Sequence, residues 1–359
     1  MIEELCPEGV EYKELGELLD YEQPTKYIVR STEYDDRNEI PVLTAGQSFI
    51  LGYTNEKDNI YRASKDKPTI IFDDFTTSFH WVDFDFKVKS SAMKMLRPRR
   101  DDINFRYIYQ AMCCIYFVPQ DHARYWISKY SKFEIPIPPI EIQEKIVAIL
   151  DNFTSLISEL ESELEARKKQ YEYYRNTLLN FTPPSLLNDV KKYNLGDVLR
   201  IMNGKDYKHL QKGQIPVYGT GGVMAFVDSY AYDKPSVLLP RKGSIEKIYY
   251  IDKPFWTVDT LYWTVINYEI LIPKYLFYYL SRVNLSKYNV GTGAIPSLTQ
   301  RILYKIAIEV PSLSEQHRIV NILDKFETLV NQELPNEIKA RQQQYEYYRN
   351  KLLNFERRA

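Results

Sequence analysis

The chain has 359 residues, enough for two or three domains that each bury a core of their own. Its 47 basic and 48 acidic residues nearly cancel, so no global charge points to a polyanionic partner. The three cysteines provide no disulfide framework, the N-terminus lacks a signal-peptide pattern, and no uncharged run reaches the roughly 18 residues of a membrane helix. We therefore expect a soluble, cytoplasmic protein.

Residues 1–140 are predicted to form a first compact α+β globule that begins with a short entry segment. The run Pro68–Phe72 is apolar and β-branched, which is typical of a buried strand. Short β-type runs alternate with Gly, Asn and Asp turn signals, with one or two helices among them.

Residues 141–182 are predicted to form a long helix. From Ile146 to Phe181 apolar residues recur in alternating steps of four and three, and only Arg167 interrupts them. This is a heptad seam of about five heptads, and the helix would reach roughly 50 Å. Charged residues stand off the seam, as an exposed face requires.

Residues 183–313 are predicted to form a second globule that repeats the first, with Pro183-Pro184 as the linker before it. Ile215–Val217 matches Ile40–Val42, and Pro235–Leu239 takes the place of the first buried strand. Between residues 195 and 308 there are 14 Lys/Arg against 8 Asp/Glu, a net of six positive charges. The second globule is therefore the better electrostatic candidate for a nucleic acid.

Residues 314–359 are predicted to form a second long helix, because Gln344–Asn350 repeats Gln170–Asn176 letter for letter. One extra residue lies between Val330 and Leu334, and Pro335 follows it, so we expect a kink or short break there. Neither helix can cover its seam alone, and we expect the two to pack on each other. The alternative is an ordinary amphipathic pair within a core.

Signatures of catalysis are scarce in the sequence. It has no Gly-rich dinucleotide or S-adenosylmethionine fingerprint, no Asn-Pro-Pro-Tyr-type tetrapeptide and no phosphate loop. The four histidines are scattered without metal-ligand spacing. We expect neither a cofactor nor a metal. The alternative is a metal-dependent DNA endonuclease that uses Asp74, Asp85 and Lys87, since paired carboxylates near a lysine can hold Mg²⁺ and activate water.

Loops at matching places in the two globules carry side chains that suit DNA. Arg, Lys, Gln, Ser and Thr hold phosphates or read base edges, although each loop alone is weak evidence and fits an ordinary polar loop better. The matched loops differ in chemistry while their framework is kept, as expected of two readers of different sequences. The candidates are Gln47, Lys65, Lys67, Thr76, Thr77, Ser78 and His80 in the first globule, and Lys205, Tyr218, Thr220, Arg241, Lys242, Lys247 and Thr292 in the second.

The chain resembles the specificity subunit of type I restriction–modification systems over nearly its whole length. The residues that carry the resemblance are Gly291–Gln300 and Val237–Gly243 in the second half, and Ile135–Pro139 and Gln143–Val147 in the first. The first globule has Thr44–Gln47 where the second has the more familiar Gly-Thr-Gly-Gly.

The resemblance implies an α+β fold in which two similar target recognition globules are separated by two long antiparallel, coiled-coil-like helices in a pseudo-twofold repeat. It implies a non-catalytic subunit that reads a bipartite site in double-stranded DNA. Its implied partners are two methyltransferase subunits, which methylate adenine from S-adenosylmethionine, and translocating restriction subunits. Candidate docking residues are Tyr173, Arg175, Tyr347 and Arg349. We interpret the helix pair as a ruler between half-sites; another alternative is a scaffold whose globules bind protein.

Overall fold

The structure, a computed structural model, describes residues 6–46, 48–181, 190–291 and 296–358. The chain divides into two compact units, one formed by Met1–Glu159 and Ile338–Ala359 (unit 1) and the other by Leu160–Glu337 (unit 2). Each unit therefore combines one globule with parts of both long helices. The predicted linker Pro183-Pro184 lies outside the described residues.

Unit 1 contains the first set of strands and short helices. Its four-stranded sheet has the order β2-β8-β5-β6, its three-stranded sheet the order β4-β3-β7, and β1 pairs with β9. The strands are β1 (Glu11–Glu14), β2 (Leu19–Glu22), β3 (Ile40–Leu43), β4 (Ile50–Thr54), β5 (Thr69–Asp73), β6 (Phe79–Val82), β7 (Lys87–Val88), β8 (Met93–Pro98) and β9 (Glu134–Ile137). The helices are α1 (Leu15–Leu18), α2 (Phe105–Met112) and α3 (Tyr125–Ser128), with 3₁₀ turns at Thr25–Tyr27 and Tyr130–Lys132, followed by the long α4 (Ile140–Leu178).

Unit 2 repeats this topology strand for strand. The corresponding orders are β11-β17-β14-β15, β13-β12-β16 and β10-β18. The strands are β10 (Lys191–Asn194), β11 (Leu199–Asn203), β12 (Lys212–Gly219), β13 (Gly222–Val227), β14 (Ser236–Pro240), β15 (Tyr249–Ile251), β16 (Trp256–Thr257), β17 (Leu261–Ile266) and β18 (Ala307–Val310). The helices are α5 (Leu195–Val198), α6 (Pro273–Ser281), α7 (Gln300–Leu303) and α8 (Leu313–Thr328), with a 3₁₀ turn at Leu285–Tyr288. The last helix is α9 (Leu334–Leu352), whose residues from Ile338 onward belong to unit 1. The predicted α+β fold and internal repeat are confirmed.

The central strand of each four-stranded sheet is the apolar run that the sequence predicts to be buried. β14 is buried along its whole length, and β5 is buried except for its last residue. In unit 1 Phe72 lies edge-on to Trp126, with the ring centroids 5.1 Å apart. Burial of such aromatic and aliphatic side chains, each contributing about 1.5–3 kcal/mol, anchors the loops that leave these strands.

Two matched glutamines fasten the start of each long helix to its globule. Gln143 and Gln316 are buried; each side-chain oxygen accepts one backbone bond, and the side-chain nitrogen donates one bond in Gln143 and two in Gln316. The Gln143 oxygen accepts from the Asn104 N–H at 2.9 Å, while its nitrogen donates to the Pro138 carbonyl at 2.8 Å. The Gln316 oxygen accepts from the Ile272 N–H at 2.8 Å. Buried amides that find all these partners fix the helix entry, since leaving one unpaired would cost about 1–3 kcal/mol.

The long helices meet inside each unit. In unit 1 the ring of Phe153 on α4 stacks on that of Tyr348 on α9 at 5.5 Å. In unit 2 the ring of Tyr174 on α4 stacks on that of Phe326 on α8 at 5.3 Å. These two pairs are equivalent in the repeat, and both put an early part of one long helix beside a late part of the other. The predicted helix pairing is confirmed by these contacts.

The predicted break at Pro335 does not occur, because helical structure continues through it, but the helix is irregular just before the proline. A π-helical turn, Leu329–Glu333, joins α8 to α9, and the Leu334 N–H donates to the carbonyl of Leu329, five residues earlier. A π turn takes up one extra residue, which is the insertion read from the sequence. Pro335 comes one residue after this wide turn, at the second position of α9.

Deleting Asn331, which is exposed in the π turn, is expected to destabilise the protein by about 3 kcal/mol, because it would place Pro335 inside a regular α-helix. Combining the deletion with Pro335→Ala is expected to restore most of the loss, since the helix would then match the first copy. Denaturant unfolding measures both. Equal destabilisation by the single and combined changes would show that the π turn does not serve to accommodate the proline.

Candidate nucleic-acid interface

In unit 2 a turn, Thr257–Thr260, gathers three of the candidate residues. The Thr257 carbonyl accepts from the Lys205 N–H at 2.8 Å, and the Val258 N–H donates to the Tyr218 carbonyl at 3.0 Å. The last carbonyl of the turn accepts from the Arg241 N–H at 2.9 Å. Three segments far apart in sequence therefore converge on one turn. The sequence analysis missed this turn, whose short polar stretch carries no signal that sets it apart from other loops.

The Gly219–Gly222 hairpin turn lies beside the same loops. The Tyr249 hydroxyl donates to the Thr220 carbonyl at 2.8 Å. The Thr220 hydroxyl lies 3.5 Å from where a side chain on Gly243 would begin, and Gly243 has a φ of +86° that favours glycine. Thr220 therefore stands next to the loop that carries Arg241 and Lys242.

A third loop reaches the Arg241–Gly243 segment from the end of the globule. The Leu298 N–H donates to the Arg241 carbonyl at 2.9 Å, and the Gly243 N–H donates to the Pro296 carbonyl at 3.0 Å. Thr292, the candidate in this loop, lies outside the described residues. The three loops described here, at Gly219–Gly222, Arg241–Gly243 and Pro296–Leu298, thus come together at one edge of unit 2.

The cations at this edge are exposed and available. Lys205, Lys242 and Lys247 are exposed and form no ion pair with any described residue. The Arg241 guanidinium lies 5.8 Å above the Tyr262 ring and donates to the Asp259 carbonyl at 3.3 Å, which orients it without neutralising it. The edge therefore carries exposed lysines outside ion pairs, beside the exposed carboxylates of Asp206 and Asp259.

The equivalent edge of unit 1 is built around His80. Its Nε2 lies 3.1 Å from the Gly46 carbonyl oxygen, and its ring stacks on Phe49 at 4.6 Å. The hydroxyls of Thr76 and Ser78 are hydrogen-bonded to each other in the adjoining turn. Thr77 is buried there with a φ of +58°, so its side chain shapes the turn. Gln47 lies outside the described residues.

The third loop of unit 1 closes on the same edge. The His122 ring stacks on Phe75 at 4.4 Å, and the Tyr125 N–H donates to the Asp74 carbonyl at 2.8 Å. This last bond is the counterpart of the Leu298–Arg241 bond in unit 2. Both units therefore use the same backbone arrangement to hold their loops.

Lys65 and Lys67 are not brought to this edge. Their exposed turn precedes β5, whereas Thr76–His80 follows it, so the length of the five-residue strand, roughly 15 Å, separates the two groups. The sequence places them near each other because only about ten residues intervene. A strand keeps such neighbours apart.

The residues of the nuclease alternative do not form one site. Asp74 is buried and pairs with Lys94 at 3.1 Å, while Asp85 pairs with Arg62 on the surface. Lys87 is buried and engaged elsewhere. Among the described residues no group of three or more His, Cys, Asp or Glu could hold a metal ion. The acidic cluster read from the sequence is thus divided among separate ion pairs.

Lys87 has a structural partner in Glu56. The ammonium lies 2.9 Å from the Glu56 carboxylate and also donates to the Asp58 carbonyl at 3.0 Å. Burial opposes ionisation of Glu56, but the bonds from Lys87 and from backbone N–H groups outweigh it and lower its pKa to about 2. The pair ties the start of β7 to the loop after β4.

The candidate docking residues on the helices fall into two kinds. The Tyr173 side chain is 65% exposed and that of its twin Tyr347 is 60% exposed. Arg175 and Arg349 are half-buried instead, over the rings of the tyrosines four residues earlier at 5.6 and 5.3 Å, and their Nε atoms have no hydrogen-bond partner. The tyrosines offer an open contact surface, and the arginines support the helix face beneath it.

Comparisons with known proteins agree with this architecture. The family described as "Type I restriction modification DNA specificity domain" matches twice, over residues 7–167 and 188–340. The specificity subunit of the type I restriction enzyme EcoR124I/EcoR124II from Escherichia coli is 40% identical over 96% of this chain and 94% of its own length. A putative type I restriction enzyme specificity subunit of Haemophilus influenzae is 31% identical over 96% of both chains. The crystal structure of a type I restriction–modification S subunit from M. genitalium has a TM-score of 0.65 with 16% identity, covers 96% of both chains and shows the same fold.

The duplicated globules and paired helices define a protein with two similar domains of one kind. The chain belongs to the type I restriction–modification DNA specificity family. Within the part of the chain that the structure describes, no helix combines the length and apolarity needed to cross a membrane.

Replacing Lys87 by Met is expected to lower the free energy of unfolding by about 3 kcal/mol near neutral pH, because Glu56 would keep its burial and lose its cation. The folded pKa of Glu56 lies below its ordinary value of 4.5, so the pair stabilises the fold above that pH and loses its effect as the pH falls towards 2. The difference between the two proteins should therefore shrink in acid. Lys89→Met, at an exposed neighbour, is the control and should change stability by less than about 0.5 kcal/mol.

Proposed function

We propose that this chain is the DNA-reading specificity subunit of a type I restriction–modification complex and performs no chemistry itself. Each of its two globules reads one half of a bipartite site in double-stranded DNA. The observation that carries the proposal is that the same three loops converge at the same edge of both units, on a kept framework, with different side chains. Such an arrangement is expected of two domains that recognise different DNA sequences.

The loop chemistry supports unlike modes of contact in the two units. In unit 2 Lys205, Lys242 and Lys247 are free to neutralise phosphates, and Thr220 offers a hydroxyl beside them. In unit 1 the edge holds mainly the hydroxyls of Thr76 and Ser78 and the ring of His80. We infer that unit 2 contributes more of the salt-dependent affinity.

The resemblance supports a division of labour among subunits. Residues 1–140 and 183–313 would be the recognition domains, and residues 141–182 and 314–359 the helical regions that hold them. Two methyltransferase subunits would methylate an adenine in each half-site with S-adenosylmethionine, and restriction subunits would join them in the cytoplasm. The twin tyrosines Tyr173 and Tyr347 are the proposed docking contacts, because the repeat presents one exposed ring for each methyltransferase copy.

Adenine methylation in the source cell, mapped with and without this gene, supplies the site; no methylation lost with the gene would overturn the proposal. On that duplex, in complex with the methyltransferase, Arg241→Ala with Lys242→Ala should weaken binding. It should also reduce the slope of log affinity against log salt by about 0.9 for each phosphate contact removed. Lys234→Ala, an exposed change at the other end of β14, is the control. Unaltered affinity and slope would remove this loop from the interface.

Replacing Tyr173 and Tyr347 by Ala is expected to weaken assembly with the methyltransferase by about tenfold or more, because truncated interface aromatics are among the costliest changes. Thermal stability of the free chain should hardly move, since both rings are exposed. Mass photometry of the mixture across concentrations measures the assembly. The exposed neighbours Glu172→Ala and Glu346→Ala are the matched control, and undiminished assembly of the tyrosine variant would exclude the docking role.

A further inference from the structure

The outer hairpins of the two units carry β-bulges at equivalent positions. In unit 1 Val42 pairs with Gly52 and Leu43 with Ile50, so Leu51 is an extra residue on β4. In unit 2 Val217 pairs with Ala225 and Tyr218 with Val223, so Met224 is the extra residue on β13. A bulge re-aims the extra residue and is usually a kept feature rather than a defect.

Both bulged residues are large, apolar and exposed. The Leu51 side chain is 38% exposed and that of Met224 is 59% exposed. Single exposed apolar residues are ordinary on protein surfaces, but here the same position of a duplicated hairpin is apolar in both copies. The turns of these hairpins differ in length and sequence, because six residues join β3 to β4 and only Thr220-Gly221 joins β12 to β13. The bulge residue has kept its apolar character where the turn has diverged.

The surroundings of Met224 indicate what covers it. Its Sδ lies only 2.4 Å from the position that a Cβ on Gly219 would occupy. Gly219 also borders Val258, which belongs to the Thr257–Thr260 turn where the candidate loops converge. The bulge thus lies next to the turn that also holds the segments of the exposed Lys205 and Lys242. An apolar side chain on an edge that also carries lysines suits DNA, whose phosphates match the cations and whose grooves expose apolar groups.

Leu51 occupies the equivalent hairpin position in unit 1. It lies on β4, whose hairpin partner β3 leads directly to Gly46, and Gly46 accepts the His80 contact at the reading edge of unit 1. A two-stranded β-ribbon fits the major groove, where the main apolar group is the 5-methyl of thymine. Each hairpin can therefore present one apolar side chain to the bases while the neighbouring loops hold the backbone.

We propose that Leu51 and Met224 are specificity-determining residues, each packing against the 5-methyl group of a thymine in the half-site read by its own unit. The inference rests on the proposed function, and it adds a defined base feature to it. Every half-site that contains an adenine for methylation also contains a thymine opposite it, so such a methyl group is always present.

The test replaces thymines by deoxyuridine, one at a time, in the mapped site, which removes only the methyl group. At one thymine of one half-site the exchange is expected to weaken wild-type binding about three- to fivefold, as loss of one buried methyl-sized group does. Met224→Ala, in complex with the methyltransferase, should lose a similar factor on ordinary DNA and lose nothing more on exchange at that thymine. Leu51→Ala is the matched variant. It should no longer respond to deoxyuridine exchange at one thymine of the other half-site.

Met224→Ala that binds as tightly as wild type would overturn the proposal. So would weaker binding that keeps the full wild-type response to every deoxyuridine, because the side chain would then serve assembly or stability instead. Wild-type preference for the mapped site, and the salt slope of that binding, are measured in the same titrations. Those quantities test the proposed function separately, since they do not depend on any methyl group.

Discussion

The apolar stripe of each long helix must be covered, and the rest of the fold depends on how this is done. In unit 1 Tyr345 and Leu352 of the second helix pack against the core, in which Leu353 and Phe355, just after that helix, are buried with Ile146 and Leu150 of the first. In unit 2 Tyr171 and Leu178 of the first helix pack against the core of the second globule, in which the next residue, Leu179, is buried. Each unit therefore needs a piece of both helices, and a helix that ended early would leave a core open.

The kept hydrogen bonds show which parts of the duplicated unit are constrained. Tyr107 in unit 1 donates to the Pro136 carbonyl at 2.9 Å, and its counterpart Tyr275 donates to the Glu309 carbonyl at 2.7 Å. Buried polar groups must find partners, so the tyrosine is kept in both copies, whereas the acceptor is a backbone carbonyl and its residue differs. The reading loops lie outside this network, and their side chains are free to differ.

The sequence was sufficient for the repeat, the heptad helices and the buried strands, because each is written in local periodicity or in direct self-similarity. It was not sufficient at positions where one residue changes the register. The extra residue before Pro335 indicated a break, but a π turn absorbs it. The consecutive exposed pairs Ile50-Leu51 and Val223-Met224 are the trace that a bulge leaves in strand alternation. The sequence analysis did not use that signal.

The predicted site was located only in part, because sequence distance does not say which end of a strand a residue reaches. Lys65 and Lys67 precede β5 and the reading loop follows it, so the strand separates them. Asp74 and Lys87 have the composition of a catalytic cluster, but burial gives each a different partner. A carboxylate and an ammonium that the fold removes from water need partners, and here those partners are distant in sequence.

The exchange of Asp74 for Arg241 at one position shows how two readers diverge without loss of the fold. Both residues accept the same backbone bond through their carbonyls, so the loop path does not depend on the side chain. In unit 1 the buried carboxylate is neutralised by Lys94; in unit 2 the strand position equivalent to Lys94 holds Tyr262, whose ring lies beneath the arginine. A buried charge requires a partner, whereas an arginine at the rim requires only a surface to lie on. The change of sign was therefore accompanied by a change on the neighbouring strand, and it converted an inward-facing structural contact into a cation at the reading edge.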